Sequence, residues 1–113
     1  MNILLTGATG YIGKRLLPLL VAQGHHVICC VRDKDRFTIP EEYVIQVRVI
    51  EVDFLNQESL SSIPNDIDAA YYLIHSMSGS AKNYDELEYA SALNFVDRMN
   101  LTRVKQVIYL SGI

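Results

Sequence analysis

The chain has only two cysteines, and they are neighbours, Cys29 and Cys30. A disulfide framework needs spaced partners, so a stapled secreted scaffold is excluded; buried free thiols in a reducing compartment are expected. Surplus positive charge is missing too. Ten Lys and Arg stand against 13 Asp and Glu, for a net charge of -3. No basic patch follows from that balance, and nucleic acid is not an expected partner. No apolar run approaches the roughly 18 residues of a membrane helix. Met1 leads directly into a strand-like run, leaving no stretch that reads as a signal peptide. Repeats and low-complexity segments are absent. His25 and His26 have no third residue at metal-ligand spacing and read as surface residues at a helix–strand connection. What remains is 113 residues, half hydrophobic and a fifth charged: an ordinary soluble composition, long enough for one domain and one core. The expected location is the cytoplasm.

The organising stretch is Thr6-Gly7-Ala8-Thr9-Gly10-Tyr11-Ile12-Gly13. The apolar run Ile3-Leu4-Leu5 before it reads as a buried strand, and Lys14-Arg15-Leu16-Leu17 after it as the opening of a helix. That context turns a glycine pattern into a dinucleotide-binding hypothesis. Gly7 allows a tight turn, Gly10 lets a pyrophosphate approach the backbone, and Gly13 lets helix and strand lie close. The helix N-terminus then offers unpaired N–H groups to the phosphates. A nucleoside-triphosphate loop needs Gly-x-x-x-x-Gly-Lys-Ser/Thr. Here Ala8 takes its first glycine position and Arg15 its Ser/Thr position, so that pattern fails twice.

Along the chain, a helix is expected from Tyr11 to Gln23, with Ile12, Leu16, Leu19 and Leu20 on its buried face. Pro18 interrupts it and should kink it on the solvent side, and Gly24 should end it. Strands are expected at His26 to Val31, Val47 to Val52, Ile67 to Ile74 and Val104 to Leu110, with loop from Phe37 to Glu42. Asn56-Gln57-Glu58-Ser59-Leu60 reads as a short helix. A long helix from Asn83 to Leu101 shows two apolar sides, Leu87, Ala90 and Leu101 against Tyr89, Leu93 and Val96. One side should cover the sheet and the other should meet further protein, either in a longer chain or in a homo-oligomer. Alternating strands and helices imply an α/β, Rossmann-type doubly wound parallel sheet of order 3-2-1-4-5, ending after strand five. Arg32-Asp33 lies at the end of strand two, and Asp33 is 20 residues beyond Gly13 (33 − 13), the distance at which such folds read the adenosine ribose.

The glycine spacing, the Val-Asp-Phe of Val52-Asp53-Phe54 with its following Ser-Leu pair, and Tyr109-Leu110-Ser111-Gly112 together resemble the extended and atypical short-chain dehydrogenase/reductases. That group includes nucleotide-sugar epimerases and NmrA-like proteins. The resemblance implies a dinucleotide site built from Gly7, Thr9, Gly10, Tyr11, Ile12 and Gly13, with Arg32 or Asp33 at the ribose. It implies that Asp53 meets the adenine amino group and that the Phe54 backbone lines the ring. An ordinary turn cap is the alternative role for Asp53. Ile74, His75 and Ser76 would pass the riboses. Val31-Arg32 implies NADP, with Lys14 as a second positive charge, whereas an inward Asp33 would favour NAD. Ser111 stands near the serine that assists catalysis in this group.

The proton-transferring Tyr of Tyr-x-x-x-Lys has no counterpart in the chain: none of the seven tyrosines is followed by Lys four places on. The expectation is an N-terminal NAD(P)-binding part of a longer oxidoreductase or epimerase, inert alone, whose small-molecule substrate is chosen elsewhere. A non-catalytic NADP-binding sensor or scaffold is the alternative.

Overall fold

Five short apolar runs pair side by side into one parallel sheet of order β3-β2-β1-β4-β5. They are β1 (Asn2–Thr6), β2 (His26–Val31), β3 (Val47–Glu51), β4 (Ala69–Tyr72) and β5 (Gln106–Tyr109). Two helices, α1 (Tyr11–Ala22) and α2 (Tyr84–Met99), make the long crossovers. This computed structural model describes residues 1–74 and 84–110. The register runs Leu4↔Ile28 and Leu4↔Ala70 across the centre, so β1 is covered on both edges. Its side chains are buried on both faces as well, which is why β1 and β2 read as continuous apolar runs.

Alternation along the strands builds two cores. Leu4, Ile28, Ile50 and Tyr72 pack on the α2 side with Phe95 and Met99. Ile3, Leu5, Val27 and Cys29 pack on the α1 side with Leu17 and Leu20. Both cysteines are free and buried. Burial pushes the Cys29 thiol up to about 12 and Cys30 higher still, with the neighbouring Cys29 adding to it, so neither is a ready nucleophile.

Three expectations need correction. The buried face of α1 is Gly13, Leu17 and Leu20; of the expected Ile12, Leu16, Leu19 and Leu20, only Leu20 is on it, and Leu16 packs half-buried at its edge. Ile12 is 43 % and Leu19 62 % exposed. The cause is Gly13, which faces the backbone of Gly7 and Ala8 and thereby sets the rotation of the helix. Pro18 is exposed, and α1 runs through it to a Schellman end: Gly24 N–H donates to the Val21 carbonyl and His25 N–H to that of Leu20.

For α2, neither expected apolar side covers the sheet. The buried stripe is Ser91, Phe95 and Met99, at i, i+4 and i+8, while Tyr89, Leu93, Val96 and Leu101 are exposed. A serine inside the stripe hid it from an apolar count. Its anchor is tertiary, the tilted Tyr72–Phe95 ring pair at 4.5 Å and Phe54–Phe95 at 5.9 Å. Two single turns of 3₁₀ helix, Lys34–Arg36 and Glu41–Tyr43, flank the segment expected as loop, Phe37 to Glu42, the second overlapping its end, and the short helix near residue 57 is a 3₁₀ run, Gln57–Ser62.

At the amino-terminal end of the sheet, Asp68 ties β1 to the start of β5. Its carboxylate accepts from the Asn2 N–H at 2.8 Å and lies 3.4 Å from Arg103. The Asn2 hydrogen bond, then Arg103, the amino terminus and Lys105, outweigh partial burial and hold its pKa below the usual carboxylate value. A depressed carboxylate contributes stability above its unfolded pKa and loses it as pH falls through the folded one. Asp68→Asn keeps the acceptor but not the charge. It should therefore lower the melting temperature at neutral pH and flatten its decline below about pH 4. Melting curves across that range check this, and an unchanged acid limb would count against it.

Candidate functional site

The carboxyl ends of the strands carry the site, as open α/β sheets require. β1 leaves the core at Thr6, which is fully buried. Its hydroxyl donates to the Tyr71 carbonyl at 2.8 Å and accepts from the Leu73 N–H at 3.1 Å, bracing the glycine turn against the end of β4. Gly7 then turns with φ +71, where an L side chain is strained. Gly10 N–H donates to the Gly7 carbonyl at 3.0 Å and closes the turn.

Gly10 is also the N-cap of α1, and it brings no side-chain cap. The first turn holds no acid; Lys14 is its last residue and Arg15 follows directly. Bases at this end work against the helix dipole, at about 0.3–1 kcal/mol each. Arg15 folds back, with its guanidinium 3.5 Å from the centre of the Tyr11 ring and Nη1 donating to the Tyr11 carbonyl. The result is an uncapped, electropositive helix end that suits an anion.

Beside it lies a cleft of about 540 Å³. Gly7, Thr9, Gly10, Arg32, Asp53, Phe54 and Ile74 all line it, so half of the sequence-expected residues come together. Tyr11 and Ile12 stand exposed on α1 away from the cleft lining, and Gly13 packs beneath the turn. Asp33 also stays out of the lining. Its Oδ1 accepts from the Asp35 N–H at 3.0 Å, capping the 3₁₀ turn, and its Oδ2 lies 3.5 Å from Arg36. Arg32 lines the rim of the cleft, its largely exposed guanidinium 4.0 Å from Asp53. His75, Ser76 and Ser111 lie outside the described residues.

Asp53 does cap a turn, as one sequence reading had it: Oδ1 accepts from the Leu55 N–H at 2.9 Å. Oδ2 is the atom that faces Arg32. The Ser59 hydroxyl, 2.9 Å from both the Asp53 N–H and its carbonyl, knots the same turn. The cleft is completed by residues that the sequence reading passed over: Cys30, Val31 and Val52 at the strand ends, Leu55 and Leu73 from loops, Leu87 and Ser91 from α2. The strand-end members were inferable from register. Leu87 and Ser91 were not, because they depend on how α2 docks.

Apolar walls, a few polar groups and a bare helix end are what a dinucleotide needs, and comparison with known proteins agrees. A family model described as NAD(P)H-binding matches residues 7–113. The photosystem II assembly factor Ycf39 of Synechocystis is 22% identical over 111 residues, covering 98% of this chain and 33% of that protein. The auxiliary protein GraX of Staphylococcus aureus is 28% identical over 115 residues, covering 98% and 36%. A nucleoside-diphosphate-sugar epimerase structure from Staphylococcus aureus superposes with a TM-score of 0.74 at 26% identity, covering 96% of this chain and 37% of that one. The chain thus spans about a third of the length of the curated relatives it matches. With nearly its whole length matched, the chain belongs to the NAD(P)H-binding family, and its domain is of the Rossmann type shared by short-chain dehydrogenases and epimerase-like proteins.

Proposed function

We propose that the chain binds NADP in preference to NAD and is the N-terminal cofactor-binding part of a longer, cytoplasmic oxidoreductase or epimerase. The observation that carries the cofactor choice is the division of labour at the end of β2. Asp33 spends its carboxylate on the Asp35 N–H and Arg36, while Arg32 lines the rim of the cleft. An acid that accepts both ribose hydroxyls would favour NAD; an arginine there matches a 2′-phosphate. Gly7, Thr9 and Gly10 with the start of α1 would hold the pyrophosphate, and Asp53, Phe54 and Ile74 the adenosine. His75, Ser76 and Ser111 keep the roles the family resemblance gives them. Calorimetric titration with both dinucleotides tests the preference, and tighter binding of NAD would overturn it.

The chain alone is expected to be catalytically inert. It contains no Tyr-x-x-x-Lys, and general acid–base steps contribute about 10²–10⁴-fold. Absorbance assays with sugar nucleotides or alcohols should show no cofactor turnover; turnover by the purified 113 residues would refute this. Binding without chemistry is the second reading. It is favoured by two relatives whose names denote an assembly factor and an auxiliary protein rather than an enzyme.

A further inference from the structure

We infer that Asn94 of α2 is a positioning residue for the adenosine half of the cleft, an inference that rests on the dinucleotide reading above. Its side-chain amide bridges two points of the turn after β3. Nδ2 donates to the Phe54 carbonyl at 2.7 Å, and Oδ1 accepts from Gln57 Nε2 at 2.8 Å. Both ends of the amide are thereby assigned, since the Phe54 oxygen can only accept and the Gln57 nitrogen can only donate.

The turn that Asn94 holds is the one that lines the cleft through Asp53, Phe54 and Leu55. Apart from the exposed Arg32–Asp53 pair at 4.0 Å, the ties described for it are local or apolar. Asp53 and Ser59 bond within the turn, and the Phe54 ring packs against Tyr72 and Phe95. Ring packing fixes the depth of the turn but tolerates rotation, because dispersion contacts are not directional. The Asn94 hydrogen bonds are directional and set how residue 54 presents its backbone. That orientation also aims the Asp53 carboxylate, whose Oδ2 faces Arg32 across the cleft. α2 therefore reaches the adenosine site by a polar contact, on top of the wall that Leu87 and Ser91 provide.

The test is Asn94→Asp. The carboxylate keeps the size and still accepts from Gln57, but it sets an acceptor against the Phe54 carbonyl. NADPH, NADH and 2′,5′-ADP should all bind about 3–10-fold more weakly, in line with one lost hydrogen bond. Equal loss on the half-ligand 2′,5′-ADP is the signature of positioning at the adenosine end. A purely structural role would lower the melting temperature and leave the three affinities of the folded protein unchanged, which would overturn the inference. Should Asn94→Asp fail to fold, Gln57→Ala removes only the outer hydrogen bond; a loss of about 2-fold or more is expected, and unchanged affinity would overturn the inference. If the unmutated chain binds none of the three ligands, the dinucleotide reading itself fails, a result distinct from any change between variants.

Discussion

Gly13→Ala is expected to destabilise the domain and to cost it the dinucleotide. A Cβ at residue 13 would stand 2.2 Å from the Gly7 carbonyl oxygen and 2.9 Å from the Ala8 Cα. Both neighbours are backbone, so no side chain can rotate aside. Alanine favours a helix over glycine by about 1 kcal/mol, but overpacking costs about 1–3 kcal/mol and sometimes more. A contact this short puts the cost at the upper end, and the net sign is destabilising. At about 4–8 °C per kcal/mol for a domain near this size, the melting temperature should fall by roughly 10 °C or more. Relief requires α1 to move off the Gly7 turn, which displaces the N–H groups proposed to face the phosphates. NADPH affinity should then drop by about 10-fold or more, since each 1.4 kcal/mol is a factor of ten. Gly24→Ala is the control. Gly24 has φ +85 with open space around its Cβ position and caps the other end of α1. It should cost about 1–2 kcal/mol of backbone strain and leave binding alone. Scanning calorimetry and titration of both variants decide the matter, and a Gly13→Ala protein with native melting and native affinity would refute the packing argument.

Arg32→Ala should weaken NADP about 10–100-fold and leave NAD nearly unchanged. A hydrogen bond to a charged group is worth about 1.5–3 kcal/mol, which sets that range. The fold itself should barely notice. The Arg32 side chain is 76% exposed and its pair with Asp53 spans 4.0 Å; exposed pairs of this kind contribute about 0–1 kcal/mol. On the proposed NADP reading, removing Arg32 therefore subtracts the 2′-phosphate contact with little else. Equal losses for both dinucleotides would place Arg32 on a group they share, such as the adenine ring, and would remove it as the source of selectivity.

Much of this was legible in the chain because it is local. Gly7-x-x-Gly10-x-x-Gly13 between an apolar run and a helix start has few structural solutions, and β2, His26–Val31, lies where its apolar run predicts. The parallel order followed from alternation of elements and the handedness of crossovers. The cleft-lining residues carried by strand ends, Arg32, Asp53 and Ile74, were readable for the same reason: a strand's carboxyl end is a fixed address in this fold. The helix faces were not. On α1 the apolar residues Ile12 and Leu19 outvoted the glycine that sets its rotation. On α2 a serine interrupts the buried stripe.

The sequence by itself determined the fold class, the strand order and the glycine turn at the head of α1, because those depend on periodicity and on backbone conformations that few residues allow. Only the tertiary structure decided which side of each helix faces the sheet. It alone turned Asp33 onto its own 3₁₀ turn and left Arg32 at the rim of the cleft. It alone brought Asn94 to the Phe54 carbonyl, 40 residues away along the chain. These outcomes are set by contacts between distant segments, by a backbone-to-backbone approach at Gly13 and by the Phe54–Tyr72–Phe95 rings, and no local pattern encodes them.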